Sequence, residues 1–101
     1  MNMFDRITPY LSVCEELREI RYLGYALKLT PNEYEVLRAV IANKDGADKK
    51  RIAEELPEEL CFSDNCISVH ICAINKKACL MGGRKLIKFD RKRKYYIDNR
   101  I

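Results

Sequence analysis

Residues 64–83 read DNCISVHICAINKKACLMGG. Ile67, Ile71, Ile74, Ala78 and Met81 fall at spacings of 4, 3, 4 and 3, which keeps them on one stripe of a helix. Asp64, or Ser63 before it, can cap the start, and Gly82-Gly83 supply the stop. The spacing predicts a helix over about 64–81, the longest in the chain, with one face committed to a core. Advancing about 100° per residue puts Asn65, Ser68, Val69, Cys72, Asn75, Lys76 and Cys79 on the opposite face.

Working upstream, Asp48 caps a short helix with Ile52 and Leu56 one turn apart, and Pro57 ends it. Residues 57–63 read as a loop. Thr30-Pro31-Asn32-Glu33 opens another helix: Thr30 caps, Pro31 takes the first helical position and Glu33 completes a capping box. That helix runs to about Asn43 with Tyr34, Leu37 and Ile41 on its stripe, and Asp45-Gly46 follows. Before it, Leu11 with Val13, Ile20 with Tyr22, and Leu27 with Leu29 alternate weakly, with breaks near Glu15-Glu16 and at Gly24. These predict three short strands in a meander.

Downstream, Leu86-Ile87-Lys88-Phe89 and Tyr95-Tyr96-Ile97-Asp98 read as two strands around Asp90-Arg91-Lys92-Arg93-Lys94. Tyr95 and Tyr96 alternate, so one is expected in the core and the other exposed. Charge concentrates here. Residues 68–101 hold ten Lys/Arg against two Asp, a surplus of +8, while residues 1–67 hold nine against thirteen acids, or −4. Together these make the net +4 of the chain. A one-sided basic patch is the footprint of a polyanion binder, because Lys and Arg displace the counterions condensed on phosphates.

Strands, helix, helix, long helix, hairpin is an α+β order: a winged helix-turn-helix with an N-terminal antiparallel sheet, three helices and a C-terminal β-hairpin wing. One such domain accounts for residues 1–101. The chain also resembles the C-terminal DNA-binding domain of OmpR/PhoB-type response regulators, from about Leu11 to Ile97. Leu29-Thr30-Pro31-Asn32-Glu33-Tyr34-Glu35-Val36-Leu37 is similar to that family's first-helix segment. Ile67-Ser68-Val69-His70-Ile71, with Ile74 and Lys77, is similar to its recognition helix, and Tyr95-Tyr96-Ile97 to the end of its wing. The resemblance implies a cytoplasmic transcription regulator. Its recognition helix would enter the major groove and its wing the adjacent minor groove, with protomers in tandem or as a homodimer on double-stranded DNA. The chain departs from the family where arginines are usual, at Asn65, Ala73 and Asn75, where Ser68 replaces an Asp, and in a wing of Arg91-Lys92-Arg93-Lys94 that lacks glycine. A receiver domain does not fit in 101 residues, so control by phosphorylation is not expected.

On that reading Asn75 and Asn65 are the base readers, since an amide can bond adenine through two hydrogen bonds. Ser68 shares their face. Lys76 would reach a guanine or a phosphate, and Cys72 and Val69 would pack on a thymine methyl. Arg91, Lys92, Arg93 and Lys94 would meet phosphates and a narrow minor groove. Lys49, Lys50 and Arg51, at the start of the second helix, would meet a phosphate or form a solvated face. The absence of arginine on the long helix leaves a second class of function open, a protein–protein interaction module on the same scaffold. No paired carboxylates, Ser/His/Asp pattern or phosphate-binding glycine loop suggests an enzyme, and no cofactor is expected. Cys66 and His70 lack a third and fourth ligand, so no metal site is expected. The N-terminus shows no signal peptide and no apolar run spans a bilayer, so no membrane partner is expected. The five cysteines, Cys14, Cys61, Cys66, Cys72 and Cys79, are then expected as reduced thiols.

Overall fold

The isoleucine stripe of residues 64–83 becomes the spine of the molecule. A computed structural model describes residues 4–57 and 64–98, without the side chains of Asp64 and Asn65. The element order is β1 (Asp5–Thr8), β2 (Leu11–Cys14), β3 (Glu19–Tyr22), β4 (Tyr25–Ala26), α1 (Pro31–Ala42), α2 (Lys49–Glu55), α3 (Asp64–Leu80), β5 (Ile87–Phe89) and β6 (Tyr95–Ile97). This is the expected winged helix-turn-helix. The loop expected over 57–63 lies, after Pro57, outside the described residues, and so does Cys61.

Ile67, Ile71, Ile74 and Ala78 are all buried, as the period requires. They meet Val36, Leu37 and Val40 of α1, Ile52 of α2, and Leu86 and Ile87 at the wing base in one core. Burying each large aliphatic side chain is worth about 1.5–3 kcal/mol, so this stripe fixes which face of α3 turns outward. The helix ends as its glycines predict. Gly82 adopts φ 87°, its N–H donates to Cys79 O, and Gly83 N–H donates to Ala78 O, the paired bonds of a Schellman stop. Gly83 also lets the sheet close over this end. A Cβ there would lie 2.2 Å from Tyr22 Cε2, while the Tyr22 hydroxyl accepts a hydrogen bond from Arg84 N–H at 2.9 Å.

The N-terminal sheet has four antiparallel strands in the order β1-β2-β3-β4, one more than the alternation predicts. β1 escapes that reading because Asp5-Arg6-Ile7-Thr8 buries only Thr8 and so carries no apolar period. The strand expected around Leu27 and Leu29 is instead Tyr25–Ala26. Leu23 (φ 56°) and Gly24 (φ 83°) make a two-residue turn that reverses the chain at once, pairing Tyr22 with Tyr25. Leu27 and Leu29 follow as an irregular connection with Leu27 buried.

Two buried carboxylates join the layers. Glu35 accepts from Arg18, in the β2–β3 turn, at 2.8 Å and from Arg38 at 3.1 Å. Glu33 closes the capping box with Thr30, and the same oxygen accepts from Lys77 of α3. Lys77 also donates to Lys28 O at 2.8 Å, so α1, α3 and the strand exit share one ammonium. Burial pushes the Glu33 carboxyl up. The bonds from Lys77 and Thr30 and the charges of Lys77 and His70 outweigh it and hold the group below its ordinary value. A lowered carboxyl stabilises the fold above the unfolded value, about 4.3 for Glu, and that contribution disappears as pH falls through the folded value. The fall in urea midpoint between neutral pH and about pH 3 should therefore be larger for wild type than for Glu33→Gln. Equal acid sensitivity in both proteins would contradict this linkage.

Candidate nucleic-acid interface

The outward face of α3 carries one cation. Val69 is 64% exposed and Leu80 77% exposed. Cys72, Lys76 and Cys79 are also exposed, with Ser68 and Ala73 half-buried. Lys76 is the single basic residue among these, so the arginine-poor surface expected from the sequence is mostly apolar and thiol-bearing. Asn65 lies in the first turn of α3, and its side chain is outside the described residues.

Asn75 departs from its expected role. Its Nδ2 donates to Ile87 O at 3.0 Å, and its Oδ1 accepts from Ile87 N–H at 2.9 Å. The amide thus pairs with β5 as a neighbouring peptide would. Bidentate recognition of adenine uses that same edge, one N–H and one lone pair side by side. What remains on Asn75 points apart and cannot form such a pair, so in this arrangement Asn75 ties α3 to the wing instead of reading a base. Asn75→Ala should lower stability by about 1–3 kcal/mol, because the Ile87 N–H and C=O lose their partner. Chemical denaturation measures this directly, and an unchanged midpoint would remove the clamp from the account.

The wing turn is built by Asp90. Its Oδ1 accepts from Lys92 N–H at 2.9 Å and Lys94 N–H at 3.0 Å, while Asp90 N–H donates to Lys94 O and Arg93 N–H to Asp90 O. Arg93 sits at φ 62°, the left-handed conformation that a glycine would adopt without strain. Arg91, Lys92, Arg93 and Lys94 are all exposed, and among the described residues none of them joins an ion pair. Behind the turn, Phe89 and Tyr95 are paired across the strands with ring centroids 4.7 Å apart. Tyr95 and Tyr96 are both half-buried, so the expected division into one core and one exposed tyrosine does not occur. A bridge from Ala47 to Tyr95, with bonds of 2.8 and 2.7 Å, holds the start of α2 against β6.

That bridge brings Lys49, Lys50 and Arg93 to one cleft, together with Asp48, Phe89 and Tyr95. Lys50 is exposed and Lys49 half-buried. Arg51 does not join them as a free cation. It pairs with Glu55 at 3.3 Å and Glu54 at 3.6 Å and donates to Asn43 at 3.3 Å. Sequence reading missed the turn-building role of Asp90, although an Asp opening a five-residue turn is a recognisable signal. It also missed the Phe89–Tyr95 pair, which only the strand register reveals. Arg93→Gly should move two observables in opposite senses: thermal stability rises by up to about 1 kcal/mol as strain is relieved, while affinity for a polyanion falls with the lost charge. A drop in both would mean that the Arg93 side chain has a structural role.

Among the described residues no cluster of three or more His, Cys, Asp or Glu side chains is placed to hold a metal, and no helix is long and apolar enough to cross a membrane. No protein-family model and no curated protein matches the sequence. Solved structures do. One, described as belonging to a novel family of redox sensors in the streptococci evolved from two-component response regulators, superposes with a TM-score of 0.78 at 20% identity over 97% of this chain. The chain spans 43% of that protein's length. The DNA-binding domain of the response regulator AdeR, in complex with an intercistronic region, gives 0.74 at 15% identity, covering 97% of this chain and 99% of that one. The Klebsiella pneumoniae RstA DNA-binding domain in complex with the RstA box gives 0.74 at 16%, with the same coverages. This chain therefore has the fold of response-regulator DNA-binding domains.

Proposed function

We propose that this chain is a non-enzymatic DNA-binding regulator of transcription. The wing and the start of α2 hold the phosphate backbone of double-stranded DNA, and the outward face of α3 lies in the major groove. The observation that carries this reading is the wing: four consecutive exposed cations without an acidic partner among the described residues, on a turn fixed to α3 through Asn75 and Ile87. Arg18, Arg21, Arg38, Arg51 and Lys77 are each paired with a carboxylate, whereas none of the four wing cations joins an ion pair among the described residues. The contact set is then Lys49, Lys50, Arg91, Lys92, Arg93 and Lys94 on phosphates, with Ser68, Val69, Cys72 and Lys76 facing bases. Arg51 and Asn75 leave the set expected from sequence, for the reasons given above, while the side chain of Asn65, also expected to face bases, lies outside the described residues. DNA complexes among the structures of the same fold support the reading, as does its expected place in the cytoplasm, where the thiols stay reduced.

One observation favours a second reading. The exposed Val69 and Leu80 of α3, with half-buried Ala73 between them, offer a largely apolar strip that a partner protein would cover more readily than a nucleic acid. Titration of random-sequence duplex by fluorescence anisotropy separates the two. With about four to six phosphate contacts, the log–log dependence of affinity on salt should have a slope of roughly −4 to −5. Neutralising Arg91, Lys92, Arg93 and Lys94 together should weaken binding to every duplex alike and flatten that slope. Absence of binding at low salt would favour the protein-interaction reading.

A further inference from the structure

The surface that this reading lays against DNA carries thiols, and we propose that Cys72 and Cys79 form a thiol-modification site at which low-molecular-weight disulfides switch duplex binding off. The inference rests on the DNA-binding reading and adds a chemistry to the same face. Both residues are exposed on α3, two turns apart and on one side, flanking Lys76. Cys14, by contrast, is 2% exposed in the sheet core. Cys66, in the first turn of α3, is exposed as well, so among the described residues the thiols of α3 are open to solvent and that of the sheet is closed. Cys72 and Cys79 are the two that flank Lys76 on the proposed interface.

Geometry directs the chemistry to an external partner. Seven residues of helix separate Cys72 from Cys79, about 10.5 Å along the axis, and six separate Cys66 from Cys72, about 9 Å. Both separations exceed the roughly 7 Å beyond which two cysteines cannot be bridged without backbone movement. Within this helix no disulfide can form, and each thiol is left for exchange with a second molecule. In that step the Cys thiolate attacks one sulfur of a small disulfide. A protein–small-molecule S–S bond forms as the original S–S bond breaks, and the departing thiolate takes up the proton that the cysteine gave up. The protein sulfur is oxidised and the released thiol reduced by the same pair of electrons, and a dithiol reverses the exchange.

An adduct there cannot be accommodated. A helix with its side chains is about 10–12 Å across and the major groove about 12 Å wide, so no layer of added atoms fits between them. With glutathione the adduct also brings net negative charge to a face whose one cation among the described exposed residues is Lys76. Phosphates repel that charge.

The test uses the full chain, oxidised glutathione as the probe and random-sequence duplex at low salt. Peptide mapping should find mixed disulfides at Cys72 and Cys79 and none at Cys14 under native conditions. Affinity should fall at least tenfold and return with dithiothreitol. Pre-bound duplex should protect Cys72 and Cys79 from alkylation. In a C72S/C79S chain, whatever basal affinity it has, the loss on glutathione treatment should shrink to less than twofold. Two results overturn the proposal: modified and reduced protein binding duplex equally well, or the C72S/C79S chain remaining fully sensitive. Failure of the DNA reading is distinct, because the reduced, untreated protein would then not bind duplex at all.

Discussion

Everything outward-facing in this molecule depends on how α3 is held, and the decisive contact is the pairing of the Asn75 amide with the backbone of Ile87. A side chain here takes the part of a β-strand neighbour. It satisfies both polar groups of a residue whose own side chain is buried, in a setting where leaving either unpaired costs about 1–3 kcal/mol. On the neighbouring flank of α3, Lys77 bonds Glu33 and the carbonyl of Lys28. The helix is thus fixed by polar contacts beside its apolar stripe, and rotation about its axis would break both at once. Ile67, Ile71, Ile74 and Ala78 determine which face is inside. Asn75 and Lys77 determine at what angle the rest is shown, and to which strand.

The same logic explains why the wing keeps its charge. Acids are plentiful in the first two-thirds of the chain, and those described there are largely engaged. Glu33 holds Lys77, Glu35 holds Arg18 and Arg38, and Glu55 holds Arg51. In the wing the one carboxylate of the turn, Asp90, points inward to the N–H groups of Lys92 and Lys94. It is used for backbone geometry, so the loop closes without a glycine, and among the described residues no carboxylate forms an ion pair with its cations. Arg93 bears the cost of a left-handed residue with a side chain, of order 1 kcal/mol. A glycine there would relax the turn and remove one of four charges.

Much of this was legible in the sequence, and what was not has specific causes. α3 and α1 were readable because long period-3.6 stripes and a Thr-Pro-Asn-Glu cap are strong local signals, and the hairpin because its strands flank a polar run. β1 was not, because its exposed ribbon has no apolar alternation. The sequence offered Glu33 a capping-box role and Glu35 none of its own, yet both are buried, because partners from a distant helix and a distant turn reach them. Asn75 misled for the same reason. Helical geometry correctly put it away from the core stripe, but the edge of that outward face meets β5, twelve residues on. Periodicity assigns a side chain to a face. Only the tertiary arrangement shows whether that face meets solvent or another backbone.

The division between a bland helix and a highly charged wing constrains how a regulator of this design would select its targets. Each bidentate side chain–base pair contributes about 1–3 kcal/mol of discrimination, and the described outward face of α3 offers no arginine and no free amide edge for one. On the proposed reading Lys76 would supply a point charge, while Val69 and Cys72 would supply contacts suited to a thymine methyl, which distinguish bases by small increments. The wing would contribute affinity that is nearly blind to sequence, since phosphates are the same everywhere. Such a molecule would bind DNA readily and discriminate weakly through direct contacts. Selectivity then has to enter where the cations are, through the width and stiffness of the minor groove, which vary with sequence even where no base edge is touched.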